Sequence, residues 1–282
     1  MTDWLATCRA AVEDVRTVLA ELPARSDREP VVGAGVGGDD TTAIDAAVER
    51  AVVARLDATG DRFTLVSEEL GVRAPEYESD SRTSIESDSD SRPDPGIWVV
   101  LDPIDGSINA KRGLPFFSLS VAVGEGGTMD DVTFGYVYDF GTGDEWTAER
   151  GGGAKLNGEL LSGEAPKDRI EILALEATRT DLVAHHAPPL VGLVHRLRVF
   201  GSLALSLCHL ADGRVDAVCS LKPARSVDIA AAQLLVRERG YAIELPDDPP
   251  FGAAPLDLEG RSRVVAAGTI DLCAKVAAAL SA

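Results

Sequence analysis

Apolar residues recur along this chain at two different spacings, and the alternation between them lays out its elements. Residues 3–22 put Trp4, Leu5, Cys8, Ala11, Val12, Val15, Val18, Leu19 and Leu22 at helical intervals before Pro23, which predicts an amphipathic helix with a defined end. The stretch 26–42 is rich in glycine and has no period, so it reads as a mobile loop. A second helix is predicted from about Thr42, with Ile44, Ala47, Val48, Ala51, Val52 and Leu56 on one face and Asp45 in its first turn. Phe63–Ser67 reads as a strand that ends on Glu68-Glu69, and Ile97–Leu101 as a strand that ends on Asp102-Pro103-Ile104-Asp105.

Phe117–Val123 then alternates as a half-buried strand, Thr133–Phe140 and Asp144–Arg150 continue a meander, and Asn157-Gly158 marks a hairpin turn. A new alternation starts at Ile170, which divides an N-terminal α+β half (residues 1–160) from a C-terminal α/β half (161–282). There Leu197–Phe200 is a strand running into Gly201-Ser202, a helix follows to Asp212, and Val215–Leu221 is a strand. Ser226 caps a helix over Val227–Arg239, with Asp228 in its first turn, where the helix dipole keeps a carboxylate ionised. Tyr241–Leu245 and Arg263–Ala267 complete the strands, and Thr269 opens a last helix. The pattern predicts a mixed α/β (α+β) layered sandwich with its site between the halves. Residues 74–96, APEYESDSRTSIESDSDSRPDPG, carry few apolar groups and read as a disordered acidic insertion.

Charge narrows the function. The chain has 46 acids against 27 bases, a net charge of −19, and only five of the bases are lysine. Such a field disfavours nucleic acid as a partner. Strong acidity with scarce lysine and few aromatics fits a protein solvated in concentrated salt, so the expectation is a halophile's cytoplasm. No apolar run approaches the ~20 residues that cross a bilayer, which leaves no membrane partner. The N-terminal segment, with acids among its apolar residues, reads as a helix rather than a signal peptide. Cysteines 8, 208, 219 and 273 are scattered and read as buried free thiols, not a zinc site.

The candidate chemistry centres on Ile97–Phe117, IWVVLDPIDGSINAKRGLPFF. A stiff apolar strand ejects two aspartates into a Gly106-Ser107 turn, which offers backbone N–H groups and a hydroxyl. Cores rarely tolerate two unpaired aspartates. Glu68, Asp102, Asp105 and Asp228 each stand at a strand exit or a helix entry, and such ends gather on one side of a sheet. Oxygen ligands without His or Cys select Mg²⁺ or Mn²⁺.

With these residues in view, the chain resembles the inositol monophosphatase family of Mg²⁺-dependent sugar phosphatases over its whole length apart from the 74–96 insertion. The resemblance rests on Trp98-Val-Val-Leu-Asp102-Pro-Ile-Asp105-Gly-Ser107-Ile-Asn109, on Ser67-Glu68-Glu69 and on Val227-Asp228-Ile-Ala-Ala-Ala232. It implies an αβαβα sandwich of the sugar-phosphatase type and two or three Mg²⁺ ions, with Mn²⁺ as an alternative. Glu68, Asp102 and the Ile104 carbonyl would hold the first ion, Asp102, Asp105 and Asp228 the second, and Glu68 would share a weaker third. Ser107, where the family usually has threonine, would hydrogen-bond Asp45, and the pair would orient the attacking water. Asp105, Gly106 and Ser107 would meet the phosphate, and Gly201 and Ser202 the sugar side of the substrate.

Val227, Ala232 and Ala110 depart from the family's tryptophan, glycine and aromatic residue. The run from Arg198 to Ala217, with Ser226-Val-Asp-Ile-Ala-Ala, looks most like the archaeal branch, which acts on inositol 1-phosphate and fructose 1,6-bisphosphate. The expected activity is hydrolysis of a small sugar or cyclitol phosphate ester by in-line attack of a metal-activated water. Lys222 and Arg225 stand beside Asp228 either to serve a second phosphate, of fructose bisphosphate or of a 3′-phosphoadenosine 5′-phosphate-type nucleotide, or as merely solvated bases. The remaining alternative is a non-catalytic metal-binding member. The resemblance also implies a homodimer.

Overall fold

The computed structural model describes residues 2–36, 40–75, 96–162, 165–177, 179–248 and 250–281. The N-terminal half contains α1 (Trp4–Glu21), α2 (Arg25–Arg28), β1 (Val31–Ala34), β2 (Asp40–Thr42), α3 (Ala43–Asp57), β3 (Phe63–Ser67), β4 (Gly71–Arg73), β5 (Ile97–Asp105), α4 (Ser107–Arg112), β6 (Ser118–Gly124), β7 (Val132–Asp139), β8 (Glu145–Glu149), β9 (Gly153–Leu156) and β10 (Glu159–Leu160). The C-terminal half adds β11 (Ile170–Glu176), α5 (Thr180–His186), β12 (Val194–Arg198), α6 (Leu203–Ala211), β13 (Ala217–Ser220), α7 (Ser226–Glu238), β14 (Ala242–Glu244), β15 (Val265–Ala267) and α8 (Ile270–Leu280).

An eight-stranded sheet runs in the order β10-β9-β8-β7-β6-β5-β3-β4 and a five-stranded sheet in the order β12-β11-β13-β15-β14. Successive side chains of a strand point to opposite faces, and here both faces of each large sheet are covered. Val99, Leu101, Leu119, Val121 and Tyr136 pack under α1 and α3, whereas Val100, Ala122 and Val137 face α6 and α7. Across those two helices the core continues into Ala174, Val218 and Ala266, and the far face of the smaller sheet carries Leu173, Leu175 and Cys219 against α8. The layers are therefore α, β, α, β, α. Burial on both faces explains why β5 is apolar without alternation.

The helix α7 is seated unusually close to the large sheet. A Cβ on Gly135 of β7 would stand 2.5 Å from the Ala231 carbonyl, so a side chain there would push the helix off. The small residues Ala230, Ala231 and Ala232 on α7 are fully buried on the other side of that contact.

Several expectations are corrected. Within 26–42, α2 and an antiparallel hairpin form, with Val31 opposite Thr42 and Ala34 opposite Asp40; the valines of β1 carry strand propensity that the glycines mask. The strand after the aspartates is buried along its whole length rather than on one face, because α1 and α3 cover one face of the sheet at β6 and α6 and α7 the other. Ser226 is the first helical residue rather than the cap, and its hydroxyl donates to the Asp257 carbonyl at 2.6 Å. Nearly all of the 74–96 insertion lies outside the described residues. The four cysteines are buried and free. Among the described residues no helix is long and apolar enough to cross a membrane.

Candidate active site

Glu68 and Asp102 are brought together by strand register. β3 runs parallel to β5 with Ser67 opposite Leu101, so the next step places Glu68 beside Asp102. Asp105 reaches the same place by a bulge. Asp102 pairs with Ser120 and Asp105 with Ser118, so three steps on β5 match two on β6. Residues three apart on a regular strand point to opposite faces; the extra residue turns Asp105 to the side of Asp102. Pro103 fits there because it has no N–H to lose from the ladder. The Ile104 N–H donates to Asp102 Oδ1 at 3.0 Å, which fixes the aspartate rotamer.

Asp228 comes from the other half of the chain. It sits in the first turn of α7, where its Oδ2 accepts the Arg225 N–H at 2.7 Å. The Arg225 guanidinium then bridges the halves, donating to Glu68 Oε1 at 2.6 Å and to Asp228 Oδ1 at 3.3 Å. Asp105 also ties the halves together, since its Oδ2 accepts the Ser202 hydroxyl at 2.6 Å and the Ala204 N–H at 2.7 Å.

Crowding four acids in a nearly dry place has an electrostatic price. Burial, then repulsion from Glu68, Asp105 and Asp228, holds the Asp102 carboxyl well above the usual carboxylate range. Burial pushes Asp105 to about 7, against the hydrogen bond from Ser202. Burial also raises Glu68, opposed by the charge of Arg225. Groups pushed up this way are stabilised by a nearby cation.

Asp45 stands beside this cluster at the entry of α3. Its Oδ2 accepts the Thr42 N–H at 3.1 Å and the Thr42 hydroxyl at 2.6 Å, and lies 3.1 Å from the Lys111 ammonium. Its Oδ1 is buried and has no hydrogen-bond partner, alone in this among the described side chains. The Ser107 hydroxyl makes no hydrogen bond among the described residues, so the expected Ser107–Asp45 bond is absent here. Ser107 lies one helical turn before Lys111 on α4, and so on the face of α4 that meets Asp45.

A cleft of about 680 Å³ opens from Asp105, Gly106, Ser107 and Asp228 towards Glu176 and Lys222. It follows the carboxyl ends of the parallel strands β11, β12 and β13, where open α/β sheets bind ligands. Gly106 has φ 94°, and a Cβ there would lie 2.7 Å from the Phe116 carbonyl. Gly201 also lines the cleft, whereas Ser202 is buried and turned to Asp105. Of the two bases expected at a second phosphate, Lys222 is exposed on the cleft wall and Arg225 turns inwards to the acids.

Four side chains outside the expected set shape the site. Glu176, at the end of β11, accepts the Phe200 N–H (3.1 Å), the Gly201 N–H (2.9 Å) and the Ser206 hydroxyl (2.6 Å), and burial raises it to about 7. Its signal was present: Ile170–Glu176 is another apolar strand ending in an acid. Glu49, four residues after Asp45 on α3, accepts the Ser67 hydroxyl and the N–H groups of Glu69 (3.2 Å) and Leu70 (3.0 Å), which sets the turn that carries Glu68. Asn109 donates to the Phe116 and Phe200 carbonyls, both at 2.7 Å, and so joins α4 to the Gly201 loop. Lys111 is the fourth; neither Glu49 nor Lys111 belongs to a motif, and only helical spacing from Asp45 and Ser107 pointed to them.

The donor set fits a hard divalent cation: carboxylates without imidazole or thiolate, raised by burial and mutual repulsion, and an unpartnered carboxylate oxygen alongside. With Arg225 lodged between Glu68 and Asp228, no three acidic, histidine or cysteine side chains among the described residues close to ligating distance.

Layered sheets and helices with an acid nest at one end of a cleft define an α/β enzyme built for a metal-assisted reaction on an anionic ligand. The sequence matches the model of the inositol monophosphatase family over residues 5–281. It is 32% identical over 280 residues to a fructose-1,6-bisphosphatase/inositol-1-monophosphatase of Methanothermobacter thermautotrophicus, covering 97% of this chain and 95% of the relative. A protein of the same name from Archaeoglobus fulgidus is 32% identical across 94% of this chain and 93% of the relative. The crystal structure of an inositol monophosphatase-fructose 1,6 bisphosphatase superposes with a TM-score of 0.80 at 25% identity, covering 99% of this chain and all of the other. The chain belongs to the inositol monophosphatase family, a family of phosphoric monoester hydrolases.

Proposed function

We propose that the protein hydrolyses the phosphate monoester of a sugar or cyclitol, inositol 1-phosphate or fructose 1,6-bisphosphate, with Mg²⁺ or Mn²⁺ held by Glu68, Asp102, Asp105, Asp228 and the Ile104 carbonyl. The observation that carries this reading is the convergence of four acids from three separate stretches at one end of a cleft sized for a hexose phosphate. Bound there, the cation supplies charge neutralisation to the phosphate and acidity to water, which is most of what phosphoryl transfer needs. In a protein of net charge −19 it also reverses the local sign that would repel a phosphate dianion.

The chain's own residues divide the remaining work. Asp45 Oδ1, the acceptor left open in the fold, would accept a hydrogen bond from the Ser107 hydroxyl once that side chain turns to it in the working site. That leaves the Ser107 oxygen free to orient the attacking water. The Gly106 and Ser107 N–H groups, ahead of the first bonds of α4 from the Asn109 and Ala110 N–H groups to the Gly106 carbonyl, would face the transferred phosphoryl group. The Gly201 loop, held by Glu176 and Asn109, meets the sugar. Lys222 serves a second phosphate. No side chain is placed as a nucleophile, so displacement by water is direct. We take the working form to be a homodimer in a salt-rich cytoplasm; light scattering in molar KCl measures the oligomer.

Phosphate release in molar KCl with Mg²⁺ tests the reading on a panel of inositol 1-phosphate, fructose 1,6-bisphosphate and 3′-phosphoadenosine 5′-phosphate. Turnover of the first two, lost by at least ~10²-fold in Asp105→Asn and Asp228→Asn, is the expected result. Full activity in either variant would sink the assignment, and no turnover of any ester would favour a non-catalytic member.

A further inference from the structure

Arg225 is the only cation ion-paired with the four acids among the described residues, and its surroundings give it two places to be. Its backbone is fixed, because its N–H is bonded to Asp228 Oδ2 at 2.7 Å as the residue before α7. Its side chain is about one-fifth exposed and lines the cleft together with Lys222 and Ser220. The guanidinium is turned to the acid end of that cleft, 2.6 Å from Glu68 Oε1 and 3.3 Å from Asp228 Oδ1. Those two acids lie 157 and 3 residues away along the chain, and among the described residues only the guanidinium joins them.

A guanidinium and a divalent ion compete for the same oxygens. Each Arg225 contact removes a lone pair from an acid that would otherwise ligate. The like charges of a guanidinium and a metal a few ångströms apart in a poorly solvated site also repel strongly. With Arg225 in place the acids do not close around a point.

We propose that Arg225 is an internal counter-cation of the metal-free protein, displaced from the acid end of the cleft towards Lys222 when the divalent ion binds and there available to an anionic oxygen of the substrate. This rests on the metal reading given above. It links two events through one side chain: the ion that completes the acid nest also releases the cation that recognises the ligand. In the absence of metal the nest stays compensated and the cleft lacks one of its bases, so an anionic ligand is held poorly until the site is loaded.

Two measurements on the intact protein test this. Phenylglyoxal modification of arginines, resolved by peptide mass spectrometry, is followed with and without Mg²⁺; Mn²⁺ binding is followed by electron paramagnetic resonance in the wild type and in Arg225→Gln. Modification of Arg225 is expected to accelerate severalfold with Mg²⁺ while exposed arginines such as Arg179 do not change. Mn²⁺ is expected to bind Arg225→Gln roughly tenfold more tightly, the scale of one partly buried ion pair removed as a competitor. If Mn²⁺ binds the wild type but Arg225 keeps or deepens its protection, or if Arg225→Gln binds Mn²⁺ more weakly, Arg225 is a fixed support for the ligands and the proposal is overturned. If the wild type binds no Mn²⁺, the metal reading and this proposal both fail.

Discussion

Replacing Glu176 with glutamine should remove a loss of stability that the metal-free protein suffers on approaching neutral pH. Glu176 is 3% exposed, and burial raises its carboxyl from an ordinary 4.5 to about 7. In the unfolded chain the proton leaves near the ordinary value; in the folded chain it stays until about 7. Between those values the native state holds a proton that the unfolded state has lost, so stability falls as pH rises through the window and is level above it. At about 1.4 kcal/mol per tenfold change in proton affinity, the decline is roughly 3 kcal/mol. Glutamine is neutral like the protonated acid but replaces it incompletely: Glu176 Oε1 accepts both the Ser206 hydroxyl and the Phe200 N–H, and an amide nitrogen there can donate to Ser206 but leaves the Phe200 N–H unpaired, a cost of about 1–3 kcal/mol at every pH. The variant should therefore be the less stable protein at acid pH, and the difference between the two should move by up to ~3 kcal/mol in its favour by neutrality.

Urea unfolding in molar KCl, followed by tryptophan fluorescence from about pH 5 upwards, keeps clear of the isoelectric region near 4.5. Asp105 titrates in the same window and is repelled by Glu176; it remains in both proteins, so most of its contribution cancels in the difference. If the stabilities of the two proteins run parallel with pH, Glu176 is already ionised in the fold and the desolvation argument is wrong. A buried acid whose charge costs the fold stability at neutral pH is a group kept for its work in the cleft.

Other outcomes follow from single contacts. Asn109→Ala leaves the Phe116 and Phe200 carbonyls without their donor; it should lower stability by about 1–3 kcal/mol in denaturant titrations and raise KM by loosening the Gly201 loop. Gly106→Ala must fit a Cβ at 2.7 Å from a carbonyl at φ 94°, so it should cost about 1–3 kcal/mol of stability and displace Ser107, both visible as a lower Tm and lost kcat. Lys111→Met frees Asp45 to rotate about its Thr42 cap; kcat should fall by roughly ten- to hundredfold with KM little changed, and Lys111→Arg should recover part of it.

What could be read from the chain was local. Apolar runs ending in acids at Glu68, Asp102 and Asp105, and a helix entry carrying Asp228, are visible because each is a few consecutive residues. The same local vision misread the hairpin at 31–42, where glycines hid two short strands, and assumed a half-exposed β6, since the helices that cover its second face lie eighty residues and more downstream. Arg225 was placed at the substrate for its charge alone. Its contact with Glu68 depends on how α7 meets the end of β3, which no spacing encodes. Glu49 and Lys111 had only helical spacing to point to them, and Asn109 stood in the motif without a role, for the same reason: each acts on a backbone turn or carboxylate supplied by another element.

The ion pair between Glu68 and Arg225 has a consequence for biosynthesis. A ribosome delivers Glu68, Asp102 and Asp105 more than a hundred residues before Arg225, and the inner face of the large sheet before the α6 and α7 that cover it. Until the last quarter of the chain emerges, the nascent protein carries an uncompensated acid nest beside a bare apolar surface. A ribosome-stalled or truncated product ending before Arg225 would be held by chaperones or degraded rather than accumulate.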